Sequence, residues 1–205
     1  MRFNIAFMGL ESQSIAWRDL MLLVQYALED CGHEVELGQY YVDTHAINIL
    51  IGTYLTPAES IRQLMECGAP IILLQSEIIK HDRINMKTPE QIDLLGLHVP
   101  FMRSSLGVME TVIDNQPELD RYGVKNHFLR WAYHERLEDI IHKAEKNLDF
   151  YLFATMSPRR TEMVSRIGYK GFKGVVHSYC PYYVRNSHIG RAKVLLNLIQ
   201  SDFCT

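Results

Sequence analysis

The run Phe3-Asn4-Ile5-Ala6-Phe7-Met8-Gly9 decides the fold class of this chain. It is short, mostly apolar and ends in glycine. After a polar segment, Ile15, Leu20, Leu22, Leu23, Ala27 and Leu28 recur at helical spacing, so the opening reads as strand, loop, helix. Cys31-Gly32-His33 closes the helix with a glycine suited to a left-handed cap, and Glu34-Val35-Glu36-Leu37 alternates as a half-buried strand should. Ala46-Ile47-Asn48-Ile49-Leu50-Ile51-Gly52 follows as a buried strand. Pro57 then stands where a first helical turn tolerates proline, ahead of Ile61, Leu64 and Met65. Gly68-Ala69-Pro70 ends that helix and Ile71-Ile72-Leu73-Leu74 is the next strand. Strands alternating with helices imply βαβ units, a parallel sheet and right-handed crossovers. The first half is therefore expected to be an α/β domain of Rossmann-like type.

Between residues 80 and 125 the pattern loosens around Pro89, Pro100 and Pro117, with a short apolar piece at Val99-Pro100-Phe101 and a helix predicted from Ser104 to Ile113. Glu135, Leu137, Ile140, Ile141 and Ala144 predict a further helix. A second β-α-β-α-β series follows. It comprises Asp149 to Ala154, a helix through Met163, Val164 and Ile167 with Gly168 as its cap, Gly174-Val175-Val176, a short helix near Arg185 to Gly190, and Lys193 to Asn197. The expected organisation is a Rossmann-like domain over 1–130, an interdomain helix over 131–148 and part of a second Rossmann-like domain over 149–205. Trp17 and Trp131 are expected to anchor the two cores or the interface between them.

The chain has 205 residues, 47% hydrophobic and 22% charged, enough for a sizeable core and outside the disordered and fibrous classes. No run of about 18 apolar residues exists, and Arg2, Asn4 and Gly9 interrupt the N-terminal apolar stretch, so the expectation is a cytoplasmic protein without a membrane span. Cys31, Cys67, Cys180 and Cys204 form no CxxC pair and read as reduced thiols. The net charge of -3 calls for neither nucleic acid nor membrane as partner. It conceals a split. Residues 1–149 hold 13 basic and 22 acidic side chains, whereas 150–205 hold 8 basic and 2 acidic ones.

In parallel α/β sheets ligands bind beyond the carboxyl ends of the strands, where a helix N-terminus offers unpaired N–H groups and partial positive charge. Ala154-Thr155-Met156-Ser157-Pro158-Arg159-Arg160 sits at such a place. Small residues let the backbone approach a ligand, Ser-Pro starts a helix, and two guanidiniums in the first turn can bind phosphate. A first turn ordinarily prefers acids, so the adjacent Arg159 and Arg160 break a local rule, as functional sites tend to do. The competing reading is a solvated surface pair. The basic balance of the region favours an anion site.

Leu148 to Arg160, followed by Ala192-Lys193-Val194-Leu195-Leu196-Asn197-Leu198, resembles the GT-B fold glycosyltransferases of the spore-maturation-protein type. In that family a strand ending in a small-residue loop with an Arg-Arg pair opens the donor domain, and an Ala-Lys-(Ile/Val)-(Val/Leu)-Leu-Asn strand follows. Ala27-Leu28 with Gly32-His33-Glu34-Val35 looks like the acceptor-domain pattern, Leu74-Gln75-Ser76-Glu77 like the strand that ends in a Glu, and Phe128 to His134 like the interdomain segment. The resemblance implies a nucleotide sugar as co-substrate, with no cofactor besides it. Thr155, Ser157, Arg159 and Arg160 would contact its diphosphate, and Lys193 would be a further cation. The acceptor stays open, and a homo-oligomer is compatible with the reading. Where the family has a small residue such as glycine, Ala154 and Thr155 stand. A full donor domain continues for on the order of 100 residues, so the expectation is a fragment or a shortened homologue, and a non-catalytic glycosyltransferase-like binding or scaffold module stands as the alternative to an enzyme.

An inverting transfer needs a general base, for which the first half offers Glu77, Glu11, His33 and His81, with Glu77 first. A helix N-terminal acid is the competing reading of Glu77, a surface loop that of Glu11, a structural role beside the capping glycine that of His33, and an exposed turn that of His81-Asp82. No DxD and no HxxxH pair is present to hold a metal. Gly168 to Gly174 reads as cap and turn rather than as a basic phosphate loop. Tyr179, in a Tyr-Cys-Pro-Tyr-Tyr cluster after a strand, is a candidate for stacking on the donor. A third reading, a single small-ligand α/β domain, predicts that the strand at 149 joins the sheet of the strand at 3.

Overall fold

The computed structural model describes residues 1–9, 11–85 and 93–198, with the side chains of 11 and 12 left out. The chain divides into two compact units, Met1–Leu137 and Glu138–Thr205. In the first, β1 (Arg2–Phe7) leads to α1 (Glu11–Asp30), β2 (Glu34–Gln39), β3 (Ile47–Ile51), α2 (Ala58–Glu66) and β4 (Ile71–Gln75). A small hairpin of β5 (Ile79–Lys80) and β6 (Arg83–Ile84) comes next, then α3 (Val99–Ser104), β7 (Gly107–Glu110), α4 (Gln116–Arg121) and β8 (Asn126–Phe128). The main sheet has the order β2-β1-β3-β4-β7-β8, and all its pairings are parallel. This is the expected Rossmann-like α/β architecture. The chain leaves β1 to one side for β2 and to the other for β3, which makes β1 the switch point of the sheet.

Strand alternation divides the core. Phe3, Ile5 and Phe7 face Leu20, Met21 and Val24 of α1, whereas Ala6 and Leu50 join Ile61 of α2, Phe101 of α3 and Leu119 of α4 on the opposite face. Ile61 is fully buried, a contribution of about 1.5–3 kcal/mol for its side chain. The switch from helix to strand needs a left-handed residue, supplied by Gly32 (φ 78°) after α1. Asn4 and Asn48 stand opposite each other in β1 and β3 as a buried polar pair.

The segment predicted as a helix from Ser104 to Ile113 is instead strand β7. Val108 and Glu110 are buried between β4 and β8, and Leu106 and Ile113 are exposed, so the apolar residues never form one helical face. Val99-Pro100-Phe101, in turn, opens α3. The interdomain helix over 131–148 is absent. Only a 3-10 turn, Glu135–Leu137, forms there, because Ile141, at 73% exposure, and its neighbours find no core to cover. Trp131 is 62% exposed and anchors nothing, while Trp17 packs on the α1 face of the sheet.

The second unit contains β9 (Leu148–Phe153), α5 (Pro158–Tyr169), β10 (Gly174–His177), α6 (Tyr182–Arg191) and β11 (Ala192–Leu195). Its sheet, also parallel, has the order β10-β9-β11. β9 therefore lies in a different sheet from β1, which excludes a single-sheet small-ligand domain. Gly168 lies inside α5, and Gly171 (φ 84°) takes the left-handed position instead. Among the described residues no helix is long and apolar enough to cross a membrane.

Candidate functional site

In the second unit β9 is central, so the chain leaving it emerges between β10 and β11 at the carboxyl edge. The turn that follows is tied in place by its own residues. Ala154 N donates to His177 O at 2.9 Å, and Ser157, extended at φ -122° and ψ 163°, caps α5 by accepting from Arg160 N at 3.3 Å. Pro158 is the first helical residue, and the first turn of α5 contains no acid. Thr155 Oγ1 and Tyr179 OH lie 3.2 Å apart, joining the chain after β9 to the chain after β10. Thr155, Ser157, Arg159, Arg160 and Tyr179 are thus gathered at one edge.

Their roles differ from the expected set in two respects. Arg160 donates from Nη1 to Thr155 O at 2.7 Å and from Nε to Leu198 O at 2.8 Å, so two of its guanidinium donors brace backbone. Lys193 does not reach the turn. Its Nζ donates to Asp149 Oδ1 at 2.7 Å at the amino end of the sheet, and roughly 13 Å of strand separates Asp149 from Phe153. Lys193 lies early in a strand parallel to β9, so parallel register alone puts it at the wrong end.

A cation that the sequence did not single out lies at this edge. α6 also begins at the carboxyl edge, after Pro181, again with no acid in its first turn. Arg185, 8% exposed, lies one turn in. Its guanidinium sits 4.2 Å over the Tyr182 ring and 5.9 Å from that of Phe153, the last residue of β9, and its Nε donates to Asn186 Oδ1 at 3.1 Å. The signal was the one that exposed Arg159 and Arg160, a cation in an acid-free first turn. Two cavities of this unit, of about 310 Å³ beside Asp139, Tyr182 and Asn186 and about 400 Å³ beside Asp149, Ile167 and Lys193, include no residue of 154–160.

In the first unit, Glu77 follows β4, and Glu110 ends the neighbouring β7, where Gln75 and Glu110 are in register. Asn115 joins the two loops: its Nδ2 donates to Glu77 O at 2.7 Å and its Oδ1 accepts from Ile79 N at 2.8 Å. Burial pushes the Glu77 carboxyl up to about 7, against a hydrogen bond from Tyr54 in the turn after β3 that pulls it down. Glu110, fully buried, is likewise raised to about 7, first by burial and with a smaller contribution from the charge of Glu77. Its Oε1 accepts from Val112 N at 2.7 Å, and its Oε2 is buried without a hydrogen-bond partner. A carboxyl poised near neutrality can accept or release a proton at working pH, which is the property required of Glu77. Glu110 escaped notice because only the pairing of β4 with β7 brings it there.

The other candidates fall away from this edge. The ring of His33 packs on Phe3 at 5.3 Å, beside the cap of α1. His81 and Asp82, both left-handed, form the tight turn between β5 and β6, and Asp82 is engaged by Arg121 and Tyr122 rather than by His81. Glu11 is the first residue of α1, and its side chain lies outside the described set. Among the described residues no three His, Cys, Asp or Glu side chains converge as a metal centre requires, and Cys31, Cys67 and Cys180 are free thiols. Comparison with protein-family models, curated proteins and solved structures finds no match to this chain.

Proposed function

We propose that the chain binds the diphosphate of a nucleotide sugar at the carboxyl edge of the β10-β9-β11 sheet and acts as a metal-independent glycosyltransferase. The observation that carries this reading is the start of both α5 and α6 at one edge, each without an acid in its first turn and each with arginine there or one residue beyond. Helix N-termini and guanidiniums together neutralise the charge that builds on a departing diphosphate. Thr155, Ser157 and Tyr179 are the neutral hydrogen-bonding groups of that edge, and Arg159, exposed in the first turn of α5, is the cation directed at ligand. In an inverting transfer Glu77 accepts the proton of the acceptor hydroxyl, for which a carboxyl near 7 is suited. The acceptor is a hydroxyl compound of unassigned class.

The second reading, binding without turnover, is favoured by the withdrawal of Lys193 to the far end of the sheet and by the use of Arg160 as a brace. Titration calorimetry with UDP, GDP and ADP tests the shared premise. Binding that weakens about tenfold in Arg159→Ala, the loss of roughly one charge-assisted contact, supports it, and no binding of any of the three sinks it. Release of free sugar from the matching nucleotide sugar, abolished in Glu77→Gln, separates enzyme from binding module.

A further inference from the structure

Beneath the proposed anion edge lies a group of ionisable rings that the reading above does not use. Tyr151 projects from β9 on the side that α6 covers. Its ring stacks on His188 of α6 at 5.4 Å and 29°, and meets the edge of His177 at 5.9 Å and 73°. The two imidazoles are 5.1 Å apart, and Tyr151 OH lies 3.3 Å from His177 Nδ1. His177 is also the residue whose carbonyl accepts from Ala154 N, so its backbone is bonded directly to the ligand turn.

The surroundings disfavour charge on His188. Facing it are Tyr151 from β9, the Cys180 thiol 3.8 Å from Tyr151 OH in the loop after β10, and Arg185 and Arg191 on α6 itself. From the segment before β9, Asp139 is taken by Asn186, while Lys143 and Lys146 reach Gly190 O through backbone N–H and Nζ respectively. The Lys146 ammonium thus joins Arg185 and Arg191 at α6, and Asp139 is already hydrogen-bonded. His188 Nδ1 is buried without a hydrogen-bond partner. Burial, then His177, then Arg191 hold His188 below the ordinary imidazole range. A charge on His188 is therefore disfavoured.

We infer that the His177–His188 pair takes up a proton from solvent when a phosphorylated ligand binds at the carboxyl edge of the second sheet. A diphosphate brings the missing negative charge to within a residue of His177, and the pair then shares one proton, since two charged rings 5.1 Å apart repel. Binding and protonation are reciprocal, so affinity is highest below the imidazole titration range of the free protein and declines with rising pH, by at most about tenfold per pH unit for one proton. This inference rests on the diphosphate reading.

The test is calorimetric titration of the whole chain with UDP-glucose, GDP-mannose and ADP-glucose, whose bridged phosphates carry no proton that titrates between pH 6 and 8. Each is run in two buffers of different ionisation enthalpy. Expected is a heat that changes with the buffer, equivalent to uptake of up to about one proton, and an apparent Kd that rises from pH 6 to pH 8. In His188→Phe, which keeps the ring stacked on Tyr151, and in His177→Asn, the buffer dependence shrinks or vanishes while binding persists. Binding with buffer-independent heat in the unaltered chain overturns the inference and leaves the diphosphate reading standing. An unchanged buffer dependence in both variants overturns the assignment to these rings. Absence of binding by all three ligands overturns the reading and the inference together.

Discussion

Asn4 Nδ2 donates to Asn48 Oδ1 at 2.9 Å across the β1–β3 ladder, with both side chains buried. Asn48 also accepts from Asp43 N at 2.8 Å and donates to Asp43 O and Ala46 O at 2.8 and 3.0 Å. One amide therefore closes the loop after β2 onto the middle of the sheet. Asn48→Ala leaves several buried backbone groups without partners and is expected to lower the unfolding free energy by about 2–4 kcal/mol, read by urea denaturation. A loss below about 0.5 kcal/mol would show that water replaces the amide there.

Glu77 and Glu110 set a pH dependence of stability. Both bind protons more tightly folded, near 7, than unfolded, near the ordinary carboxyl value of 4.5. Between 4.5 and 7 the folded state therefore holds more protons, and stability falls as pH rises through that window. Buried His98, held down to about 4 by burial, acts in the opposite sense, losing stability as pH falls from 6.5 toward 4. Glu110→Gln removes one carboxyl contribution, so at pH 8 the variant is expected to be more stable than the unaltered chain by about 3 kcal/mol. At pH 4.5 the two should differ little. Denaturation midpoints at the two pH values decide it.

Lys193→Ala should leave nucleotide binding unchanged, because the lysine is spent on Asp149 at the opposite end of the sheet. The pair is largely solvated, and Asp149 keeps its bond from Lys173 N at 2.8 Å, so the stability loss is expected to stay under about 1 kcal/mol. A tenfold loss of affinity in this variant would require a different placement of the ligand.

Arg160 and Arg159 are adjacent yet should fail differently. Arg160→Lys cannot span Thr155 O and Leu198 O with one ammonium, and it is expected to destabilise the second unit by about 1–2 kcal/mol without ligand present. Arg159→Ala should weaken binding about tenfold. Thermal melts with and without UDP-glucose separate the two arginines.

The alternation of apolar runs with helical periods at 3–75 and 149–197 was sufficient to read four strands of the first sheet and the three of the second, since a buried strand and a helix with one wet face leave different spacings. The errors fall where burial, not local pattern, decides. Leu106, Val108, Met109 and Ile113 are compatible with a helix until β4 and β8 claim the segment as their neighbour. Ile140, Ile141 and Ala144 have helical spacing but no core to press against. Of the candidate site, the Ser157 turn was legible as a broken local rule. Arg185 stood beside the same kind of acid-free helix start and was passed over, whereas Glu110 was not legible, because it meets the loop of Glu77 only when β4 and β7 pair.

The glycine that stops α1 carries a practical corollary. Cys31 precedes Gly32, and Cys67 stands at the end of α2, so two exposed free thiols lie where helices hand the chain back to β2 and β4. Every strand of that sheet then runs away from them toward Glu77 and Glu110. A maleimide surface or spin label attached through these cysteines would hold the unit by its back, leaving the carboxyl edge of the sheet unmodified.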